Sequence, residues 1–140
     1  MSKISEIMSP NPQVVTPEES LKRAAALMRQ LDIGVLPVCS GSQVLGIVTD
    51  RDIAVRGVAA GLGPDSGCVS DVMTRDVMCA SESQDSDELM HLMSDCQVRR
   101  IPVVNKKKEL VGIVSLGDLA THHVKHTEET LREISEPSRA

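Results

Sequence analysis

Two segments of the sequence place a hydroxyl and a carboxylate at the same spacing after an apolar run. They are Gly46–Asp52, with the sequence GIVTDRD, and Gly112–Asp118, with the sequence GIVSLGD. At the start of a helix, side chains three residues apart lie on the same side. A carboxylate accepts hydrogen bonds from the two vicinal hydroxyls of a ribose, and a hydroxyl beside free helix N–H groups suits a phosphate. The candidate ligand-binding residues are therefore Thr49, Asp52, Ser115 and Asp118. The alternative is that both pairs only form N-terminal capping boxes.

These two segments belong to an internal repeat, which must also supply the elements that position them. At an offset of 65, Pro37-Val38 falls on Pro102-Val103, and at an offset of 66, Asp52 falls on Asp118. Self-similarity at a fixed offset is typical of a repeated structural unit. We predict a first unit over 1–60, a linker rich in turn formers over 61–68, a second unit over 69–126 and a tail over 127–140.

Each unit has the pattern helix, strand, strand, helix. Helix starts are predicted at Thr16 and Ser81, from capping boxes completed by Glu19 and Gln84. The strands are near-continuous apolar runs, which indicates burial on both faces. The predicted fold class is α/β of the α+β type, with two units packed about a pseudo-twofold axis and clefts between them. The strands are expected near 35–39, 44–49, 101–104 and 110–115.

Composition excludes several classes of partner. The chain of 140 residues has a formal net charge of −5, which argues against nucleic acid or anionic lipid as the main partner. It contains no Phe, Tyr or Trp, so a planar ligand must be held by aliphatic side chains and backbone groups. No run approaches the roughly 20 apolar residues of a membrane helix. Four cysteines without a C-x-x-C pair, and no export signal, predict a cytoplasmic protein with reduced thiols.

The two G-I-V-[TS]-x-x-D segments and the two h-P-V strands resemble a tandem pair of CBS (cystathionine β-synthase) domains, a Bateman module. The resemblance covers about residues 4–126. It implies clefts that bind AMP, ADP, ATP or S-adenosylmethionine, with Asp52 and Asp118 at the ribose hydroxyls and Thr49 and Ser115 near ribose and phosphate. It also implies that adenine lies against aliphatic and backbone groups of the h-P-V strands, which contribute Gly34, Val35, Pro37, Ile101 and Pro102.

Three arginines are candidate partners for the ligand phosphates. Arg99 and Arg100 precede the second h-P-V strand, where the first unit has Gly34 and Val35, and Arg51 lies within the first G-I-V segment. Arginine forms forked hydrogen bonds to phosphate oxygens. The alternative is that these arginines form a solvated or salt-bridged surface. The difference between the units predicts two non-equivalent sites.

The leading hypothesis is a regulatory sensor module without catalytic activity, which binds an adenosine ligand and acts through a conformational or dimer change. It requires no cofactor, and we expect a homodimer and an effector protein as partners, with neither nucleic acid nor membrane. The alternative is a metal- or redox-responsive structural protein. His122 and His126, four residues apart with His123 between them, fit a zinc site that Cys96, His91 or a second chain would complete.

Two further patterns have simpler interpretations. The histidines also fit a polar helix end, and Lys106–Lys108 fits a solvated hairpin turn. A hydrolase or transferase is the third hypothesis, but the sequence contains no nucleophile elbow, no metalloprotease helix and no Walker loop.

Overall fold

The computed structural model describes residues 2–96 and 98–122 and has two helix-strand-strand-helix units with additional short elements. The predicted fold class, α/β of the α+β type, is confirmed. A final helix, α6, begins at residue 116 and is described as far as 122. The other elements are α1 (Ile4–Ile7), β1 (Ser9–Pro10), α2 (Leu21–Leu31), β2 (Val35–Ser40), β3 (Gln43–Thr49), α3 (Asp50–Asp52, continued by a π-helical segment, Ile53–Val58), α4 (Val69–Val72), β4 (Thr74–Arg75), β5 (Ala80–Ser81), α5 (Ser86–Cys96), β6 (Arg100–Val104) and β7 (Leu110–Ser115).

The predicted start of the first long helix at Thr16 is wrong. The Glu19 carboxylate does accept the Thr16 N–H, at 2.7 Å, but this bond closes a turn before the helix. The helix α2 begins at Leu21, because the Ser20 hydroxyl caps it by accepting the Arg23 N–H at 3.1 Å. It ends at Asp32, whose left-handed backbone (φ 55°) stops the helical hydrogen bonding.

The start of α5 differs from its prediction in the same way. The Gln84 side chain accepts the Ser81 N–H at 2.9 Å, as the capping-box pattern predicts, but the helix begins only at Ser86. The cap is the Asp85 carboxylate, which accepts the Glu88 N–H at 2.9 Å. In both units, the predicted box is a turn that precedes the true helix cap.

The two sheets exchange strands between the repeats. The first sheet has the order β2-β3-β4, and the second has the order β1-β7-β6-β5. The strand β4 lies in the second unit but pairs antiparallel with β3 of the first, with Ile47 opposite Thr74. Conversely, β1 of the first unit pairs antiparallel with β7, with Ser9 opposite Ile113. Each unit therefore completes the sheet of the other.

The glycines of the G-I-V segments make this exchange sterically feasible. A Cβ on Gly46 would overlap the Thr74 carbonyl oxygen and lie 2.7 Å from the Met73 methyl carbon. A Cβ on Gly112 would lie 2.9 Å from the Ser9 carbonyl oxygen. Both contacts are to the strand contributed by the other unit, so glycine is needed here for close backbone approach.

The hydrophobic core has two clusters, and each contains residues from both units. The first cluster, around α2, β2 and β3, includes Val69 and Val72 of α4, both fully buried. The second, around α5, β6 and β7, includes the fully buried Ile4 of α1. Burying one such aliphatic side chain contributes about 1.5–3 kcal/mol. The leading segment of each unit is thus part of the core of the other.

Candidate functional site

A cleft of about 520 Å³ lies where the two units meet. One wall is the end of α2 and the start of β2, and the opposite wall comes from β6, β7 and α6 of the second unit. The leading segment of the first unit closes one side. The lining residues are Ser9, Pro12, Gln13, Leu31, Asp32, Ile33, Gly34, Val35, Pro37, Arg100, Ile113, Ser115 and Asp118.

Asp118 and Ser115 form a capping box at the start of α6 and also line the cleft. The Ser115 hydroxyl accepts the Asp118 N–H at 2.9 Å, and Asp118 Oδ2 accepts the Ser115 N–H at 3.0 Å. The second carboxylate oxygen, Oδ1, has no hydrogen-bond or ion-pair partner among residues 2–96 and 98–122. The two interpretations offered by the sequence are therefore compatible, because one oxygen caps the helix and the other is available to a ligand.

Arg100 provides the positive charge of the cleft. It begins β6, where it pairs in register with Ser115 of β7, and its side chain is exposed. It forms no ion pair with any residue in the described part of the chain. Its guanidinium is thus available to an anionic group of a ligand, such as a phosphate or a carboxylate.

Aliphatic side chains dominate the rest of the cleft. Leu31 and Ile33 are 39% and 41% exposed, which is high for large apolar residues, and both line it together with Ile113. At Gly34, a Cβ would lie 2.9 Å from Asp50 Oδ2, so this glycine allows the start of β2 to lie close to α3. The cleft thus offers apolar surfaces to a flat ring without any aromatic residue.

The equivalent pair in the first unit has a different environment. Thr49 and Asp52 form the same capping box, with both hydrogen bonds at 3.0 Å. However, Asp52 is only 9% exposed, and its Oδ1 lies 3.9 Å from Arg56 Nη1. Arg56 also donates to the Val72 carbonyl oxygen at 3.2 Å. The chain's own arginine therefore occupies the position beside this carboxylate, and neither Thr49 nor Asp52 lines the cleft.

Six of the twelve predicted ligand-binding residues line the cleft, and the other six do not. Arg51 and Arg99 are exposed outside it. Ile101 is fully buried in the second core cluster, and Pro102 is buried beside it. The fold brings the remaining six together in the cleft, three from each unit: Gly34, Val35, Pro37, Arg100, Ser115 and Asp118.

Sequence reasoning missed the cleft residues at the end of α2. Asp32 and Ile33 lie between a helix and a strand, where a left-handed residue redirects the chain. The Asp-x-Gly sequence after an amphipathic helix was the available signal, since Asp tolerates left-handed backbone and often ends helices.

The histidine cluster is only partly described. His122 Nε2 lies 2.6 Å from Ser2 Oγ, and the ring lines a cavity of about 260 Å³ with Glu6, Thr121 and Asp118. His123 and His126 lie outside the described residues, and His91 is exposed on α5. Within 2–96 and 98–122, no three His, Cys, Asp or Glu side chains group as metal ligands.

The cysteines are free thiols, and two of them have perturbed pKa values. Burial raises the pKa of Cys39, and the neighbouring Cys79 thiol raises it further. Burial also raises the pKa of Cys79, while Lys108 opposes this increase.

None of the helices formed by the described residues combines the length and hydrophobicity required for crossing a bilayer.

Comparison with known proteins identifies the class to which this fold and cleft belong. The CBS domain family model matches residues 4–57 and 69–125. The chain belongs to the CBS domain family and contains two such domains in tandem, which confirms the predicted resemblance.

The similar proteins include small proteins of comparable length. The chain is 41% identical to the uncharacterized protein YlbB of Bacillus subtilis, over 86% of this chain and 81% of that protein. It is 36% identical to hypoxic response protein 1 of Mycobacterium tuberculosis, over 90% of this chain and 88% of that protein.

Solved structures show the same architecture. A structure of hypoxic response protein I with two coordinated zinc ions has 35% identity and a TM-score of 0.79, and the match covers 86% of this chain and 98% of that one. The CBS domain pair of protein MJ0100, in complex with 5-methylthioadenosine and S-adenosylmethionine, has 25% identity and a TM-score of 0.80, with 90% and 98% coverage.

Proposed function

We propose that this protein is a non-catalytic regulatory module that binds an adenosine ligand in the cleft between its two units. The observation that carries the proposal is Asp118 Oδ1, a carboxylate oxygen that has no partner among the described residues and lies in a mostly apolar cleft built from both units. A carboxylate in this position accepts hydrogen bonds from ribose hydroxyls. Further support comes from the related CBS domain pair of MJ0100, which holds 5-methylthioadenosine and S-adenosylmethionine.

The cleft suggests how such a ligand is oriented. The ribose lies at Asp118, and the adenine ring lies against Ile33, Val35 and Ile113, whose apolar atoms bury its faces. Arg100 then faces the substituent at the 5′ position. With no aromatic residue in the chain, van der Waals contact with aliphatic side chains replaces ring stacking.

The charge of the cleft favours some adenosine ligands over others. Its lining contains two carboxylates, Asp32 and Asp118, and one guanidinium, Arg100. A triphosphate would bring several negative charges to a lining whose formal charge is already −1, which is electrostatically unfavourable. We therefore expect S-adenosylmethionine and AMP to bind more tightly than ATP.

Ligand binding in this cleft has a direct route to a conformational output. The ligand would contact β2 of the first unit and α6 of the second, so its binding energy depends on their separation. A ligand shifts a conformational equilibrium only through such differential contacts. We propose that the output is read by an effector protein in the context of a homodimer, for which the exposed Val55 and Val58 provide apolar surface.

The first experiment measures thermal unfolding with AMP, ADP, ATP, S-adenosylmethionine and NAD at millimolar concentration. At a ligand concentration of 100 times Kd, binding stabilises the folded state by about 2.7 kcal/mol, which corresponds to a Tm increase on the order of 5–10 °C.

The variant Asp118→Asn retains one side-chain oxygen for the helix cap but removes the negative charge. We expect this variant to bind at least about tenfold more weakly.

Asp52→Asn is the matched control, since it changes the equivalent capping box without changing the cleft. We expect it to retain wild-type ligand affinity. If none of the five ligands shifts the Tm, or if both variants lose affinity equally, the proposal is wrong. Native mass spectrometry of freshly purified protein would also report subunit number and any retained nucleotide.

Zinc binding is the second candidate function, and it rests on a specific similarity. Hypoxic response protein I, at 35% identity, holds two zinc ions in its solved structure. Here, His122 with His126, His123 and a second chain would supply imidazole ligands. Metal analysis of protein purified without a His tag tests this candidate. Stoichiometric zinc that is lost in His122→Ala supports it, and absence of stoichiometric zinc contradicts it.

A further inference from the structure

A second cavity, of about 530 Å³, lies where the turns of the two β-hairpins meet. The turns are joined by backbone contacts. Leu110 donates its N–H to the Ser42 carbonyl oxygen at 2.9 Å, and Gln43 forms a bridge with Glu109. None of the residues lining this cavity also lines the cleft that contains Asp118. It is therefore a separate site.

The lining of this cavity is positively charged, although the protein is acidic overall. Lys106 and Lys108 contribute two ammonium groups, and no Asp or Glu is among its lining residues. In the described ranges, neither lysine forms an ion pair. The nearby Glu109 carboxylate is occupied by hydrogen bonds from Asn105 Nδ2, at 3.1 Å, and Ser42 Oγ, at 3.4 Å. Among residues 2–96 and 98–122, both ammonium groups are therefore without an ion-pair partner, although the Glu109 carboxylate lies nearby in sequence.

Neutral polar groups complete the cavity. Ser81, Gln84 and Asn105 line it, and the half-buried thiol of Cys79 lies within it. Lys108 opposes the effect of burial on the Cys79 pKa, so its positive charge acts on the interior of the cavity. Asn105 Nδ2 and Gln84 Nε2 each donate one hydrogen to a glutamate, Glu109 and Glu88. Each amide nitrogen has a second hydrogen, which together with the ammonium groups suits an oxyanion.

We propose that this cavity binds a small, multiply charged oxyanion of the pyrophosphate type, held by Lys106 and Lys108. The middle residue of the lysine run, Lys107, is not among the residues that line the cavity. All three lysines are exposed, as the solvated-turn interpretation predicts, and two of them also line the cavity. Lys107 provides a control of the same residue type in the same turn.

Isothermal titration calorimetry with inorganic pyrophosphate at low ionic strength tests the proposal. Lys106→Gln and Lys108→Asn each remove one charge, and Asn tolerates the left-handed backbone at position 108 (φ 65°). We expect each variant to bind about fivefold more weakly or worse, whereas Lys107→Gln stays within about twofold of wild type. Equal weakening in all three variants, or no binding to the wild type, would overturn the proposal.

Alkylation of Cys79 locates the bound anion independently. Pyrophosphate should slow the reaction of Cys79 with iodoacetamide, read by peptide mass spectrometry, while the rate at Cys68 stays unchanged. An Asp118→Asn protein should show the same protection, which separates this site from the adenosine cleft. The same protection measurement with ADP in the Asp118→Asn protein distinguishes a free oxyanion from the phosphates of a larger ligand. Unchanged Cys79 reactivity with both compounds contradicts the proposal.

Discussion

Replacing Gly46 with alanine tests whether the G-I-V motif is a packing requirement of the strand exchange. The added methyl group would overlap the backbone carbonyl oxygen of Thr74 and lie 2.7 Å from the Met73 methyl carbon. Backbone cannot rotate away as a side chain does, so β4 must move from β3. We therefore expect Gly46→Ala to destabilise the protein without any change in the ligand-binding groups.

The loss of stability caused by Gly46→Ala follows from the contacts that would be lost. The pairing of β4 with β3 has two register positions, Gly46 with Arg75 and Ile47 with Thr74. Loss of its hydrogen bonds costs about 1 kcal/mol each. Displacement of the buried Met73, which is 6% exposed, adds a packing cost of about 1–3 kcal/mol. With one or two hydrogen bonds lost, these costs add up to a decrease of about 2–5 kcal/mol in the free energy of unfolding, measured by urea denaturation.

Gly117→Ala is the matched control. A Cβ at Gly117 would make only an ordinary contact, 3.6 Å from Ser115 Oγ, at the start of a helix. We expect this variant to be neutral or more stable by up to about 1 kcal/mol. If Gly46→Ala unfolds within about 0.5 kcal/mol of wild type, the steric explanation of the motif is wrong.

Three further predictions concern capping, packing and ionisation. Ser20→Ala removes the acceptor for the Arg23 N–H and should cost about 1 kcal/mol in denaturant titration, whereas no change would show that another group caps α2. Ile4→Ala empties a fully buried position and should cost about 2–5 kcal/mol, and a cost below 1 kcal/mol would contradict its place in the second core. Because burial raises the Cys39 pKa above its ordinary value of 9.0, the folded state retains a proton that the unfolded chain loses, so stability should fall as pH rises above that value. Cys39→Val should reduce this fall, and an unchanged pH profile would refute the assignment.

Local patterns predicted the repeated strands and the class of the fold. The apolar runs gave β2, β3, β6 and β7 nearly at their observed bounds, because buried strands require continuous apolar sequence. The exchange of β1 and β4 was not predicted, since two-residue strands have no periodicity and their partners are distant in sequence. The proposed unit boundaries stay a prediction.

The candidate site was only half predictable, for a physical reason. The repeat made Asp52 and Asp118 equivalent, but Arg56 lies beside the first carboxylate and a cleft lies beside the second. Such differences depend on side chains brought together by tertiary structure. No spacing rule contains that information.

The exchanged strands also constrain the order in which the chain acquires its structure during synthesis. The residues of α1 and β1 are translated before all the other described elements, but their partner β7 is among the last of these to be made. The first sheet likewise cannot be completed until Thr74–Arg75 has emerged. Contacts of this sequence separation form late in folding. The segment of α1 and β1 therefore cannot form its native contacts until nearly all of the second unit has been translated. Until then, Ile4 has no core in which to be buried.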